Sequence, residues 1–218
     1  MNSLEDDLVR ARELSVDAVA DAIESIGFEC THCGACCKAA SCGEGADEPH
    51  TATVFPDEVR EIGGEEYDWR DVARPMPYGL SEGPDGPEGE TFEWALQTDD
   101  CGDCTFYDAG ERRCSVHADR PLICRTYPFS VALDGATQPM GDPVDREGIV
   151  RAHECEGLGR DISRGEAEDL AAALKERAIR ELEEAIAVSE RYEPVETDPG
   201  EIVVHDSEGA KAPDGRPR

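Results

Sequence analysis

The N-terminal stretch has the apolar spacing of a helix. Apolar positions recur at intervals of three and four over residues 3–26, which predicts a helix there. Ser3 and Asp6 form a capping signature at its start, and Ser15 marks a point where the helix restarts. The apolar positions are Leu4, Leu8, Ala11, Val16, Val19, Ile23 and Ile26.

A second helical pattern lies near the C-terminus. Ser163 and Glu166 form a capping box, and the pattern continues to about Tyr192. We expect its apolar stripe to pack on the core rather than on a partner. The stripe consists of Leu170, Leu174, Ala178, Leu182 and Ile186.

Short elements are expected between these helices. Residues 51–55 favour a strand, followed by a helix from Pro56 to Ile62. The glycine- and proline-rich residues 79–90 predict a loop, and alternation in 91–97 predicts a strand. In that strand Phe92, Trp94 and Leu96 would share one face.

A hairpin over residues 105–116 turns at Gly110, and 117–130 predicts short helical turns. The predicted fold is α+β: a small cysteine-rich metal-binding domain with short strands, flanked by an N-terminal helix and a long C-terminal helix. The predicted segments are a helical 1–27, a metal-binding domain over 28–160, a helix over 161–192 and a mostly disordered acidic tail over 193–218.

Charge narrows the classes of partner. The formal net charge is −30, from 51 acidic and 21 basic residues spread along the chain. Such an excess is typical of proteins from salt-accumulating halophiles, where salt screens the repulsion and carboxylates hold water. The sequence has no basic face for phosphates, which argues against nucleic acid and anionic membranes as partners.

The start of the chain, MNSLEDDLVR, is acidic where a signal peptide would be basic, and no apolar run is long enough to span a membrane. We therefore expect a cytoplasmic protein. Thiols stay reduced there, so ten cysteines indicate metal ligands or redox groups before disulfides.

The cysteines themselves are clustered. FECTHCGACC holds Cys30, Cys33, Cys36 and Cys37, and a second CxxC pair is Cys101 with Cys104. A CxxC turn presents two sulfurs to one ion. Neighbouring side chains of an extended segment point apart, so Cys36 and Cys37 either sit at a sharp bend or face different partners. Two metal sites, a metal site beside a redox thiol, or a vicinal disulfide remain open.

Three stretches carry a resemblance: FECTHCGACC, then CTFYDAGERRCSVHADRPLICRTYPF over 104–129, then CEGLG over 155–159. Together they resemble the CxxCxxCC, or YkgJ-type, cysteine-cluster family of zinc- or iron-chelating or iron–sulfur-cluster proteins. The resemblance implies that Cys42 and Cys101 lie outside the ligand set. The CxxC spacing alone would instead make Cys101 and Cys104 a pair of ligands. The implied metal ligands are Cys30, Cys33, Cys36, Cys37, Cys104, Cys114, Cys124 and Cys155.

Charged neighbours extend this site. Arg120 and Arg125 flank Cys124, where guanidinium groups would offset the negative charge of a thiolate centre. His32, His117 and His153 lie near cysteines and are candidate ligands, although eight thiols do not require them. His50 and His205 are expected to be surface groups.

The spacing leaves the metal open. The CxxCxxC opening, the distant ligands and the arginines favour an iron–sulfur cluster, expected to be 4Fe–4S. The CxxC turns suit Zn²⁺, and eight cysteines would supply two structural zinc sites of four thiolates each. A thiol- or cluster-dependent oxidoreductase or protein-modifying enzyme is the remaining alternative. The sequence names neither a substrate nor a protein partner.

Overall fold

The computed structural model describes residues 3–39, 50–84, 86–133, 143–145 and 148–218, and they form a mixed α+β fold as predicted. The helices, α1 to α6 in chain order, are Leu4–Glu13, Val16–Ile26, Pro56–Gly63, Trp69–Val72, Leu122–Thr126 and Arg164–Arg191. The strands, β1 to β11, are Thr53–Val54, Ala73–Pro75, Ser81–Gly83, Gly86–Phe92, Trp94–Leu96, Tyr107–Asp108, Arg113–Cys114, Phe129–Val131, Val150–Ala152, Ile202–Asp206 and Gly209–Lys211.

The chain divides into two compact units. Unit 1 comprises the chain up to Cys36 together with Leu122–Glu183. Unit 2 comprises Cys37–Pro121 together with Glu184–Arg218. The division therefore passes between the two adjacent cysteines and through the predicted 28–160 domain.

Local signals explain the helices of unit 1. The predicted restart is confirmed, because α1 ends at Glu13 and the Ser15 side chain accepts the Ala18 N–H at the start of α2. The capping box before α6 is also confirmed: the Ser163 N–H donates to Glu166, and the Glu166 N–H donates to Ser163 Oγ.

The apolar faces of these helices form the core of unit 1 with the antiparallel pair β8–β9. The stripe of α6 packs on this core as expected, since Leu174, Ala178 and Leu182 are buried. Phe129 of β8 is fully buried in the same cluster, with Phe28 edge-on to its ring.

A buried arginine lies at the polar edge of this core. Arg177 of α6 is 0% exposed, and its guanidinium donates to Thr126 Oγ1 at 3.1 Å and to the Phe129 carbonyl at 3.2 Å. Its Nε also donates to Glu181 at 2.7 Å. A buried guanidinium needs such partners, so Arg177 fixes the chain between α5 and β8 onto α6.

Unit 2 is built on small sheets. One has the order β1–β5–β2, and another has the order β11–β10–β4–β3, with β10 parallel to β4. The predicted hairpin over 105–116 is confirmed as the pair β6–β7. The predicted strand in 51–55 and the helix after Pro56 are confirmed as β1 and α3.

Buried polar side chains connect the sheet that contains β5 with the sheet that contains β10. Trp94 Nε1 donates to Asp206 Oδ2 at 2.8 Å, and the Lys211 ammonium lies 2.7 Å from the same oxygen. Lys211 also pairs with Glu208, which a second cation, Arg60, holds as well. The Arg60 hydrogen bond and the Lys211 partner lower the pKa of Glu208 to about 2.

Several predictions for unit 2 are corrected. Residues 79–90, expected to be a loop, contribute β3 and most of β4, where Gly86 and Gly89 take positive φ values of 120° and 118°. Glycine occupies such conformations without penalty, so it shapes these strands instead of breaking them. The expected strand over 91–97 is divided at Glu93 (φ 67°), which leaves Phe92 43% exposed while Trp94 is buried.

The tail also differs from the prediction. Residues 193–218, expected to be mostly disordered, contribute β10 and β11. Val203 and Val204 are fully buried because β10 pairs with β4, far upstream in the chain.

His205 on the same strand differs from its predicted surface position as well. It is 3% exposed and not a surface group; its ring lies against Phe92 and Tyr192, with Nε2 3.3 Å from Glu90. His50 is half-buried, and burial, then Arg74, lowers its pKa.

Within the described part of the chain, no helix is long and apolar enough to cross a membrane.

Replacing Arg177 with leucine tests its role in unit 1. We expect the Arg177→Leu variant to lose about 2–3 kcal/mol of unfolding free energy in urea titrations, because buried oxygens lose their donor. The control is Arg12→Leu, which removes an ion pair to Glu183. Because the Arg12 side chain is 56% exposed, this loss should lower the unfolding free energy by at most about 1 kcal/mol. Equal losses in the two variants would contradict the role.

Candidate metal centre

Two distant segments meet in unit 1 as an antiparallel bridge. Phe28 pairs with Leu158, the Glu29 N–H donates to the Gly157 carbonyl at 3.1 Å, and the Gly159 N–H donates to the Gly27 carbonyl at 3.0 Å. We call this contact the glycine junction. It brings the start of FECTHCGACC beside CEGLG.

The junction needs glycine on both sides. A Cβ at Gly157 would lie 2.2 Å from the Glu29 carbonyl oxygen, and one at Gly27 would lie 2.5 Å from the Arg160 oxygen. Gly27 also has a φ of +77°. Any side chain at these positions would push the two segments apart.

The junction gathers four thiols. Cys155 begins a turn, closed by a hydrogen bond from the Leu158 N–H to the Cys155 carbonyl (3.3 Å), that leads directly into the bridge. The pKa of the Cys155 thiol is raised, mainly by burial. A hydrogen bond from the Gly157 N–H to its Sγ (3.4 Å) acts in the opposite direction, and the nearby Cys33, Cys36 and Cys30 raise the pKa further. We call Cys30, Cys33, Cys36 and Cys155 the first thiol group.

The turn that carries three of these thiols is tightly wound. His32 and Gly34 have φ values of 54° and 76°, and Ala35–Cys37 form a 3₁₀ turn. Successive side chains of a 3₁₀ turn point about 120° apart, so Cys36 and Cys37 face different directions. Of the two alternatives left open by the sequence, the sharp bend is present, and the two cysteines also point apart.

Three other ligand candidates lie in unit 2. The Cys104 N–H donates to the Cys37 carbonyl at 2.8 Å, and the Tyr107 N–H donates to the Cys104 carbonyl. Tyr107 in turn pairs with Cys114 across the β6–β7 hairpin. Cys37, Cys104 and Cys114 form the second thiol group, in which Cys104 is 6% exposed.

Cys124 lies on α5 in unit 1, three residues before Tyr127. The Tyr127 hydroxyl donates to the Glu154 carbonyl, directly before Cys155. Burial, followed by the neighbouring Cys155 and Cys36, raises the pKa of Tyr127 to about 12. The phenol therefore stays protonated and able to donate near neutral pH.

The two cysteines outside the implied ligand set differ from the rest. Cys101 is disulfide-bonded, contrary to the expectation that cysteines of this chain stay reduced, and Cys42 lies outside the described residues. The eight implied ligands are all reduced.

The other candidates are spread over both units. Arg120 donates to the His117 carbonyl at 3.1 Å, and Arg125 is exposed on α5. His153 is buried with its Nε2 3.0 Å from Ser130 Oγ, His117 is exposed, and His32 is exposed within the CxxC turn. Among the described residues no three histidine, cysteine or carboxylate side chains are already arranged to hold an ion.

The cysteine-containing part of the chain matches a known protein family. Residues 29–156 match the CxxCxxCC family, described as "Putative zinc- or iron-chelating domain". The chain belongs to this family. Chelation of zinc or iron is therefore the function that the family description supports. No curated protein and no solved structure matches the chain.

Sequence reasoning missed three residues around this CxxCxxCC domain. Gly157, Tyr127 and Arg177 all act on the first thiol group or on the segment beside it. CEGLG and RTYPF contained the first two, but only the pairing of strands reveals their roles. Arg177 lies next to the predicted apolar stripe of the C-terminal helix. A charged residue at such a position does not reveal which groups it will contact.

Substituting Gly157 tests the junction. We expect Gly157→Ala to lower the unfolding free energy by about 1–3 kcal/mol, since the new Cβ overlaps the Glu29 carbonyl. Zinc plus iron per chain, measured by elemental analysis after purification, should also fall well below the wild-type value. Gly165→Ala is the matched control, because nothing lies within 4 Å of a Cβ there. Unchanged metal content in Gly157→Ala would contradict the assembly described.

Proposed function

We propose that this protein holds an iron–sulfur cluster of the 4Fe–4S type on the first thiol group. The observation that carries the proposal is the position of Cys155 beside Cys30-x-x-Cys33-x-x-Cys36, across the glycine junction. A cubane needs one thiolate for each of four irons, and a CxxCxxC run with a remote fourth cysteine is a known way to supply them.

The surroundings of these thiols fit such a cluster. Thiolates are the ligands that both iron–sulfur clusters and zinc prefer. Cys33 and Cys155 are half-buried, and the Gly157 amide already donates to Cys155 Sγ. Amide-to-sulfur hydrogen bonds and partial burial are among the factors that set a cluster's potential.

The remaining predicted ligands are part of the proposal. Cys37, Cys104, Cys114 and Cys124 are proposed as further thiolate ligands, and Arg120 and Arg125 as groups that offset the charge of the bound centre. The support for this role is the closeness of both arginines to Cys124 in the sequence.

Zinc is the second candidate, favoured by one local feature. Cys30-x-x-Cys33 contains His32 with φ 54° and is followed by Gly34 with φ 76°, so the backbone turns tightly at this pair. Tight CxxC turns of this kind are common in structural zinc sites, in which metal binding and folding are coupled.

Metal analysis separates the two candidates. Protein purified without oxygen should be brown, with iron and acid-labile sulfide in equal amounts, close to four per chain if one 4Fe–4S cluster is bound. Cys155→Ser should remove most of the colour. Cys101→Ser is the control, since a disulfide sulfur is no ligand. Colourless protein with stoichiometric zinc would contradict the cluster.

We also propose that the acidic surface suits a salt-rich cytoplasm. The sequence has 51 acidic against 21 basic residues, and a single arginine, Arg164, pairs with Asp21, Glu24 and Glu168. The remaining carboxylates repel one another in a chain of net charge −30.

This proposal predicts a stability that depends on salt. The melting temperature should rise as KCl increases from about 0.1 M to about 1 M, because the Debye length shortens from about 10 Å to about 3 Å. An uncharged osmolyte at the same osmolality serves as the control and should raise it less. A melting temperature that falls with KCl would contradict the adaptation.

A further inference from the structure

The β8–β9 register continues beyond the strands toward the first thiol group. Phe129 pairs with Ala152, and the His153 N–H donates to the Pro128 carbonyl at 2.9 Å. One step further, Tyr127 faces Glu154. There the pairing is made by a side chain, because the Tyr127 hydroxyl donates to the Glu154 carbonyl.

Tyr127 is itself held on a fixed segment. Arg177 donates to Thr126 Oγ1 on one side of it and to the Phe129 carbonyl on the other. Thr126 Oγ1 also donates to the Leu122 carbonyl at 2.7 Å within α5. The chain on both sides of Tyr127 is therefore held by hydrogen bonds to α6.

Cys155 is restrained from both directions. On its C-terminal side, Gly157 binds Cys155 Sγ and pairs with Glu29. On its N-terminal side, the described restraint next to it is the hydrogen bond from Tyr127 to Glu154. Without that bond, Glu154 and Cys155 would be held by the glycine junction on one side and, on the other, by the hydrogen bonds of His153 to Pro128 and Ser130.

We propose that Tyr127 is a positioning residue that holds Cys155 beside Cys30, Cys33 and Cys36 through its hydroxyl, on a segment that Arg177 fixes. The consequence for a bound metal rests on the proposed function. The consequence for the thiol itself does not, because the contacts exist in the chain without metal.

The test uses Tyr127→Phe, which removes only the hydroxyl. In metal-free, reduced protein, iodoacetamide should alkylate Cys155 about fivefold faster than in the wild type, the factor that matches the loss of one neutral hydrogen bond. Peptide mass spectrometry follows each cysteine separately. Cys114, in unit 2, is the internal reference and should keep its rate.

Tyr192→Phe is the matched control. It also removes a tyrosine hydroxyl that donates one hydrogen bond, here to Glu90 at 2.8 Å in unit 2. It should leave the Cys155 rate unchanged. An unchanged Cys155 rate in Tyr127→Phe overturns the inference, and so does an equal acceleration in both variants, since that would report general loosening.

The metal-loaded protein gives a second, separate readout. Tyr127→Phe should release its metal to a chelator faster than the wild type and than Tyr192→Phe. If the wild type binds neither iron nor zinc while the Cys155 rate still rises in Tyr127→Phe, the positioning role stands and the proposed function fails. If metal is bound but the Cys155 rate does not change, only the positioning role fails.

Discussion

The glycine junction is the contact on which the site depends. Two backbone segments, one ending in CxxCxxC and the other starting with Cys155, come together closely only because Gly27 and Gly157 have no side chains. Two backbone hydrogen bonds hold them at that distance. Without this contact, Cys155 would have no reason to lie near the other three thiols of its group.

Bringing four thiols together has an electrostatic cost. Thiolates in one place repel each other, and the chain already carries a net charge of −30. A bound cation or cluster removes that repulsion, and its binding free energy becomes part of the free energy of folding. The hydrogen bonds of Arg177 and Tyr127 hold the backbone next to Cys155. They therefore lower the entropy cost of ordering this thiol when a metal binds.

Local elements were predictable from the sequence because their signals are local. Capping residues and apolar spacing located α1, α2 and α6, and the resemblance to the CxxCxxCC family is confirmed over residues 29–156. Long-range pairing was not predictable: β10 reaches β4 from far downstream, and Trp94 meets Asp206 across 112 residues. The glycines of 79–90 were interpreted as breakers because nothing local shows that a neighbouring strand will pair with them.

The grouping of the thiols was predictable only in part. Adjacency showed that Cys36 and Cys37 need a bend or separate partners, whereas the position of Cys155 near the other three thiols depends on the bridge between Phe28 and Leu158, which the sequence does not reveal. Thiol footprinting of anaerobically purified protein tests this grouping most directly. With metal bound, Cys30, Cys33, Cys36 and Cys155 should all resist alkylation and become reactive together when a chelator removes the metal. Rapid labelling of Cys155 while the other three stay protected would contradict the account.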